Sequence, residues 1–177
     1  MTRPVIGRSM YGMWGRMTDP GEDVFSQEVA KLGVDIGNSP YRDYEVNQIV
    51  ADFNAAPSNA IRLLWGSSLG ANNCPVVASY APHVIIHGMW GFQASLYGAQ
   101  VPIPGNVLFA HEVFNSIWIE TLGLGAYKWV RATGNSHTNL YLSDRGDFHP
   151  GETSAAETMF LAEMKRVIAT AQAGADA

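Results

Sequence analysis

The chain has 177 residues, 47% hydrophobic and 15% charged, with a net charge of -5 and a pI near 5.4. That length holds one domain with a sizeable core and is short for two. The 11 scattered Lys and Arg exclude the basic footprint of a nucleic-acid or anionic-membrane binder.

A single cysteine, Cys74, excludes an intrachain disulfide and a zinc site built on several thiolates. No run reaches the roughly 18 apolar residues of a membrane span. The first residues, MTRPVIGRSMYG, lack the basic-then-apolar pattern of a signal peptide. The expectation is a soluble, cytoplasmic single domain over residues 1–172, with a frayed tail at 173–177.

In chain order, Val5 to Ser9 reads as a first strand, followed by a Gly- and Met-rich loop. Asp23 to Leu32 has Val24, Phe25, Val29 and Leu32 at helical spacing, and Gly33 stops it. VDIGNSPYRD is a short strand and turn. Tyr44 to Ala55 is a second helix, with Val46, Ile49, Val50 and Phe53 on one face. Ala60 to Trp65 is an apolar strand, and Ala71 to Tyr80 a helix that tolerates Pro75 only in its first turn. HVIIHG and NVLFAHEV read as strands, and Ile117 to Leu122 as a short helix. AYKWVRA reads as the last strand, and Ser154 to Gln172 as the final helix. Apolar strands alternating with helices predict a three-layer α/β sandwich with a mostly parallel sheet of five to six strands. YGMWG (Tyr11 to Gly15) and HGMWG (His87 to Gly91) form a near-repeat, read as two glycine-rich loops.

Between the Ala60 strand and the helix after it lies Gly66-Ser67-Ser68-Leu69-Gly70, a G-x-S-x-G pattern. A nucleophile on a sharp strand-to-helix turn needs small residues two positions before and after it. The hydroxyl is then exposed over a helix N-terminus, whose N–H groups and dipole favour developing negative charge. The five-residue pattern alone is weak; the strand before and the helix after supply the context it requires. With that context the chain resembles the α/β-hydrolase superfamily of serine esterases and lipases, as a short member without extra N-terminal strands or a lid domain.

The resemblance implies an acyl-enzyme mechanism with Ser68 as nucleophile, and a base and an acid following in the order Ser, acid, His. His83 precedes a strand, and His87 and His111 end strands too early for the base; these read as structural or pocket residues. His137, after the AYKWVRA strand, resembles the base-bearing position, with His149 before the final helix as the alternative. For the acid, Glu112 is the candidate in the region after the penultimate strand, and Asn115 the alternative. Asp144 and Asp147 follow His137, out of order. The resemblance also implies oxyanion donors from Leu69 and from the Met10–Tyr11 region, with Tyr11, Met13 and Trp14 lining the pocket.

No H-E-x-x-H, P-loop or G-x-G-x-x-G spacing occurs, so no metal or cofactor is expected. The expected partner is a small-molecule ester or acyl substrate. The competing reading is a binding or structural protein that keeps the fold and has lost the triad.

Overall fold

The computed structural model describes residues 2–12, 21–95, 98–114, 128–144 and 155–174. Strands β1 (Val5–Met10), β2 (Ile61–Ser67), β3 (Gly88–Phe92), β4 (Phe109–Phe114) and β5 (Asn139–Asp144) form one sheet in that order. Every pairing is parallel. Helices α1 (Gly21–Ala30), α2 (Val46–Ala55), α3 (Leu69–Tyr80) and α4 (Ala155–Gln172) cover it.

Residues alternate along each strand and feed two cores. On one face, Leu64, Met89 and Ala110 pack with Ile49 and Phe53 of α2, Cys74 and Val77 of α3, and Trp129. On the other, Leu63, Trp65, Trp90, Phe92 and Phe109 pack with Phe25 and Val29 of α1 and with Phe160, Met164 and Val167 of α4. The result is the three-layer α/β sandwich that the alternation predicts, with the α/β-hydrolase-like order of elements that the resemblance implies and no lid domain among the described residues. Isolated parallel bridges, Ile6 to Asp35 and Met10 to Tyr41, run VDIGNSPYRD along the outer side of β1. No described helix is long and apolar enough to cross a membrane.

Three elements differ from the sequence reading. The first is β3, which occupies GMWGF rather than HVIIHG, so the second of the near-repeated segments is a strand and not a loop. Its glycines make room for tryptophans. A Cβ on Gly91 would sit 2.6 Å from the Trp129 ring, and one on Gly88 2.2 Å from the Trp90 ring. His87 therefore stands at the amino end of β3, where its ring accepts the Arg62 N–H and meets the Arg3 guanidinium. It does not end a strand on the carboxyl edge.

The second is the last strand, which is NLYLSD and not AYKWVRA. Residues 128–132 carry only an isolated bridge, Arg131 to Ile103. Their apolar character serves a different purpose: Trp129 is fully buried in the core beside β3. β5 is half exposed along its length, so it lacks the apolar run that marks a buried strand.

The third is α3, which begins at Leu69, two residues earlier than expected. Pro75 thus falls in the second turn rather than the first.

Candidate active site

β2 ends at Ser67, and α3 begins at Leu69, leaving Ser68 alone to turn the chain. Its backbone is at φ 48, ψ -118, a region that non-glycine residues occupy at a cost of roughly 1–3 kcal/mol. The surroundings hold it there. The Ser68 N–H donates to the Phe92 carbonyl at the end of β3 (2.8 Å), and the Ser68 carbonyl accepts from Asn72 N–H (3.2 Å).

Both flanking glycines are sterically required. A Cβ on Gly66 would lie 2.7 Å from the Gly70 carbonyl carbon, so the strand and the helix could not fold back on each other. A Cβ on Gly70 would lie 2.3 Å from the Met10 oxygen. The chain leaving β1 is thus packed onto the first turn of α3.

Ser68 is half-buried, and its hydroxyl bonds to no described residue. The Leu69 N–H opens α3 and has no backbone acceptor among the described residues, as expected of a first-turn amide. The Tyr11 N–H, the other oxyanion donor that the resemblance implies, is bonded to the Tyr41 carbonyl at 2.8 Å. The Tyr11 hydroxyl donates to Asp23. Tyr11 thus ties the post-β1 segment to the strand-like run beside it and to α1. Met13 and Trp14 lie outside the described residues.

The structure separates His137 from Ser68. His137 is exposed and precedes β5, with its N–H on the Asn135 side-chain oxygen. Because all strands run parallel, that is the amino edge of the sheet, whereas Ser68 follows the carboxyl end of β2. Six strand residues, about 20 Å, lie between the two edges. The misplacement follows directly from mistaking AYKWVRA for the last strand. His149 lies outside the described residues, between Asp144 at the carboxyl end of β5 and Ala155 of α4.

Glu112 is inside β4, fully buried, rather than in the loop beyond it. One carboxyl oxygen accepts the Ala94 N–H (3.1 Å), the other the Trp129 N–H (2.7 Å). Burial pushes its pKa up to about 8, against the opposing pull of those two N–H groups and of Lys128. Both oxygens are committed to backbone, so Glu112 is a staple between the segments after β3 and before β5. Asn115, the first residue beyond β4, lies outside the described residues.

Asn72, which drew no attention in the sequence, shapes this edge of the sheet. It is fully buried one turn into α3. Its amide donates to the Ser95 and Ala99 carbonyls and accepts the Ser95 N–H at 2.6 Å. The segment after β3 is thereby fastened to α3. The available signal was the Asn72-Asn73 pair, four and five residues past the turn serine, at the start of a mainly apolar helix. Cys74 is not a rival nucleophile: complete burial, and next the charge of Glu22, push its thiol pKa well up. Among the described residues, no group of three or more His, Cys, Asp or Glu is placed to hold a metal.

No family model matches the chain, and no curated protein matches it. Several solved structures are similar in outline. One is a cutinase-like protein from Cryptococcus sp., at 14% identity and TM-score 0.44, over 98% of this chain and 97% of that one. A second is described as a predicted CIB-like hydrolase from Thermoplasma acidophilum, at 14% identity and TM-score 0.47, over 93% and 86%. A third is described as a putative hydrolase of the alpha/beta superfamily, from Xanthomonas campestris pv. campestris, at 15% identity and TM-score 0.43, over 97% and 99%. At such values the likeness is one of outline, without residue-level correspondence. The α/β-hydrolase-like character of the chain rests on its own parallel sheet, its two helical layers and the turn at Ser68.

Proposed function

We propose that the protein is a serine hydrolase that cleaves a carboxylic ester, or a thioester or amide, through an acyl-enzyme on Ser68. The observation that carries this reading is the strained backbone of Ser68 between two glycines that tolerate no Cβ. A turn without chemistry would be satisfied by glycine at position 68, which would remove the strain.

The base in this reading is His149. The carboxyl ends of β5 and β2 are three strand spacings apart, about 14 Å. His149 is five positions beyond Asp144 in the chain, and five extended residues reach about 17 Å. Asn115, the first residue past β4 in the chain, is assigned the acid's role, for which a side-chain amide oxygen can accept an imidazole N–H. An amide stabilises the imidazolium less than a carboxylate does, so the reaction is slow by the standard of full triads. Ser68 attacks the carbonyl as His149 takes its proton. The Leu69 N–H meets the oxyanion. The leaving group receives the proton, and water then releases the acid.

A fluorophosphonate probe with peptide mass spectrometry tests this. The expected adduct is on Ser68, and Ser68→Ala removes it. A folded wild-type protein that takes up no label at Ser68 overturns the reading and favours a binding protein that has kept the turn and lost the triad.

A further inference from the structure

A second set of side chains has the connectivity of an acyl-transfer relay, away from Ser68. His111 of β4 is buried, with Nε2 2.8 Å from the Ser143 hydroxyl of β5. Its Nδ1 lies 2.9 Å and 3.0 Å from the two carboxylate oxygens of Glu163 on α4. Glu163 also accepts the Trp90 indole N–H at 3.0 Å.

The Glu163 contact sets one ring proton, and with a neutral ring that sets the other. A carboxylate only accepts, so His111 Nδ1 carries its hydrogen toward Glu163. In the neutral imidazole, Nε2 is then an acceptor, and the Ser143 hydroxyl is the donor. A serine hydroxyl aimed at an imidazole lone pair, with a carboxylate behind the ring, is the arrangement that activates a nucleophile.

The position of Ser143 gives it access. It is half-buried, on the edge strand of the sheet among the described residues. Tyr141, on the same face two residues earlier, is 53% exposed and lies against the Phe109 and His111 rings. It presents an aromatic surface beside the hydroxyl.

We propose that Ser143, His111 and Glu163 form a second acyl-accepting site, selective for small aryl esters. Ser143 Oγ bonds to the ester carbonyl carbon while His111 Nε2 takes its proton. The bond to the aryloxide then breaks, and that leaving group takes the proton from Nε2. Water, deprotonated by the same nitrogen, hydrolyses the acyl-serine. Ser143 and His111 are the catalytic residues, and Glu163 is the positioning residue.

The test uses the full chain carrying Ser68→Ala, so that it is independent of the Ser68 reading. The protein is treated with p-nitrophenyl acetate or a fluorophosphonate, and the modified residue is mapped. An adduct on Ser143 is expected, absent in the Ser68→Ala, Ser143→Ala double variant. Adding His111→Gln slows labelling on the order of 10²–10⁴-fold. Glu163→Gln keeps an acceptor for Trp90 and slows labelling by at least about tenfold, with a changed pH profile. Should His111→Gln fail to fold, Glu163→Gln decides the same point. Folded protein without an adduct on Ser143, or labelling indifferent to these changes, overturns the proposal and leaves the network as a structural tie between α4 and the sheet. In the wild type, label on Ser143 but not Ser68 sinks the Ser68 reading alone, and the reverse sinks this one alone.

Discussion

Gly70 and Met10 are in direct backbone contact: a Cβ on Gly70 would lie 2.3 Å from the Met10 carbonyl oxygen and 2.6 Å from that of Tyr11. The approach brings the chain leaving β1 to the first turn of α3. Gly70→Ala must push those two segments apart. The expected loss is about 1–3 kcal/mol, the usual cost of overpacking. For a chain of this size that is roughly 2–4 °C of Tm per kcal/mol. Ser68 labelling should fall further than stability does, because the displaced segments border the oxyanion position. Thermal melts and labelling rates on the same preparations check both; an unchanged Tm would contradict the contact.

Strain at Ser68 predicts an inversion between two inactivating substitutions. Ser68→Ala keeps the φ 48 backbone under strain, whereas glycine adopts it freely. Ser68→Gly should therefore be more stable than Ser68→Ala by about 1 kcal/mol or more, although neither carries a nucleophile. Urea unfolding of the pair measures the difference. Equal stabilities would mean that the turn is relaxed.

The two late histidines should part company. His137→Ala removes an exposed ring at the amino edge of the sheet and should leave Ser68 labelling within about twofold of wild type. His149→Ala should slow it on the order of 10²–10⁴-fold, as loss of a general base does. The opposite pattern would refute the assignment of the base.

Burial of Glu112 makes stability depend on pH. Its folded pKa of about 8 stands above the ordinary value of 4.5. Below about 4.5 both states hold the proton, and nothing is lost. Between 4.5 and 8 only the unfolded chain releases it, so stability falls as pH rises, by a few kcal/mol in order of magnitude. Above about 8 the loss is complete and constant. Glu112→Gln should flatten this slope. At pH 5 it should cost about 1–3 kcal/mol, because its NH2 group faces a backbone N–H it cannot pair with. Urea unfolding at pH 5 and pH 8 decides. A wild-type slope that survives the substitution would assign the titration to another group.

Asn72→Ala should release the segment after β3 from α3. Three hydrogen bonds are lost, and the Ser95 N–H must find water or remain unpaired. Faster amide exchange at Ser95, with α3 itself still protected, is the expected signature. Retained protection at Ser95 would show that Asn72 is not what holds the segment.

How much of this was legible in the chain depended on where each residue's reasons lay. The G-x-S-x-G turn, the strand before it and the helix after it were readable, because tight turns demand glycine locally and buried parallel strands demand apolar runs. GMWGF did not read as a strand, because its glycines exist to admit Trp90 and Trp129, one of them nearly forty residues away. AYKWVRA read as one because Trp129 is a core residue without being a strand residue. That single exchange carried His137 to the wrong edge.

The sequence by itself determined the layer architecture and singled out Ser68, since periodicity and turn chemistry act between near neighbours. Only the tertiary structure decided what the polar groups do. It showed Glu112 closed onto two backbone amides, the Tyr11 N–H already spent on Tyr41, and Ser143, His111 and Glu163 joined across two strands and a helix. Hydrogen bonds between residues far apart in the chain leave no periodic trace in it. They become visible only when strand order and register bring the partners within 3 Å of each other.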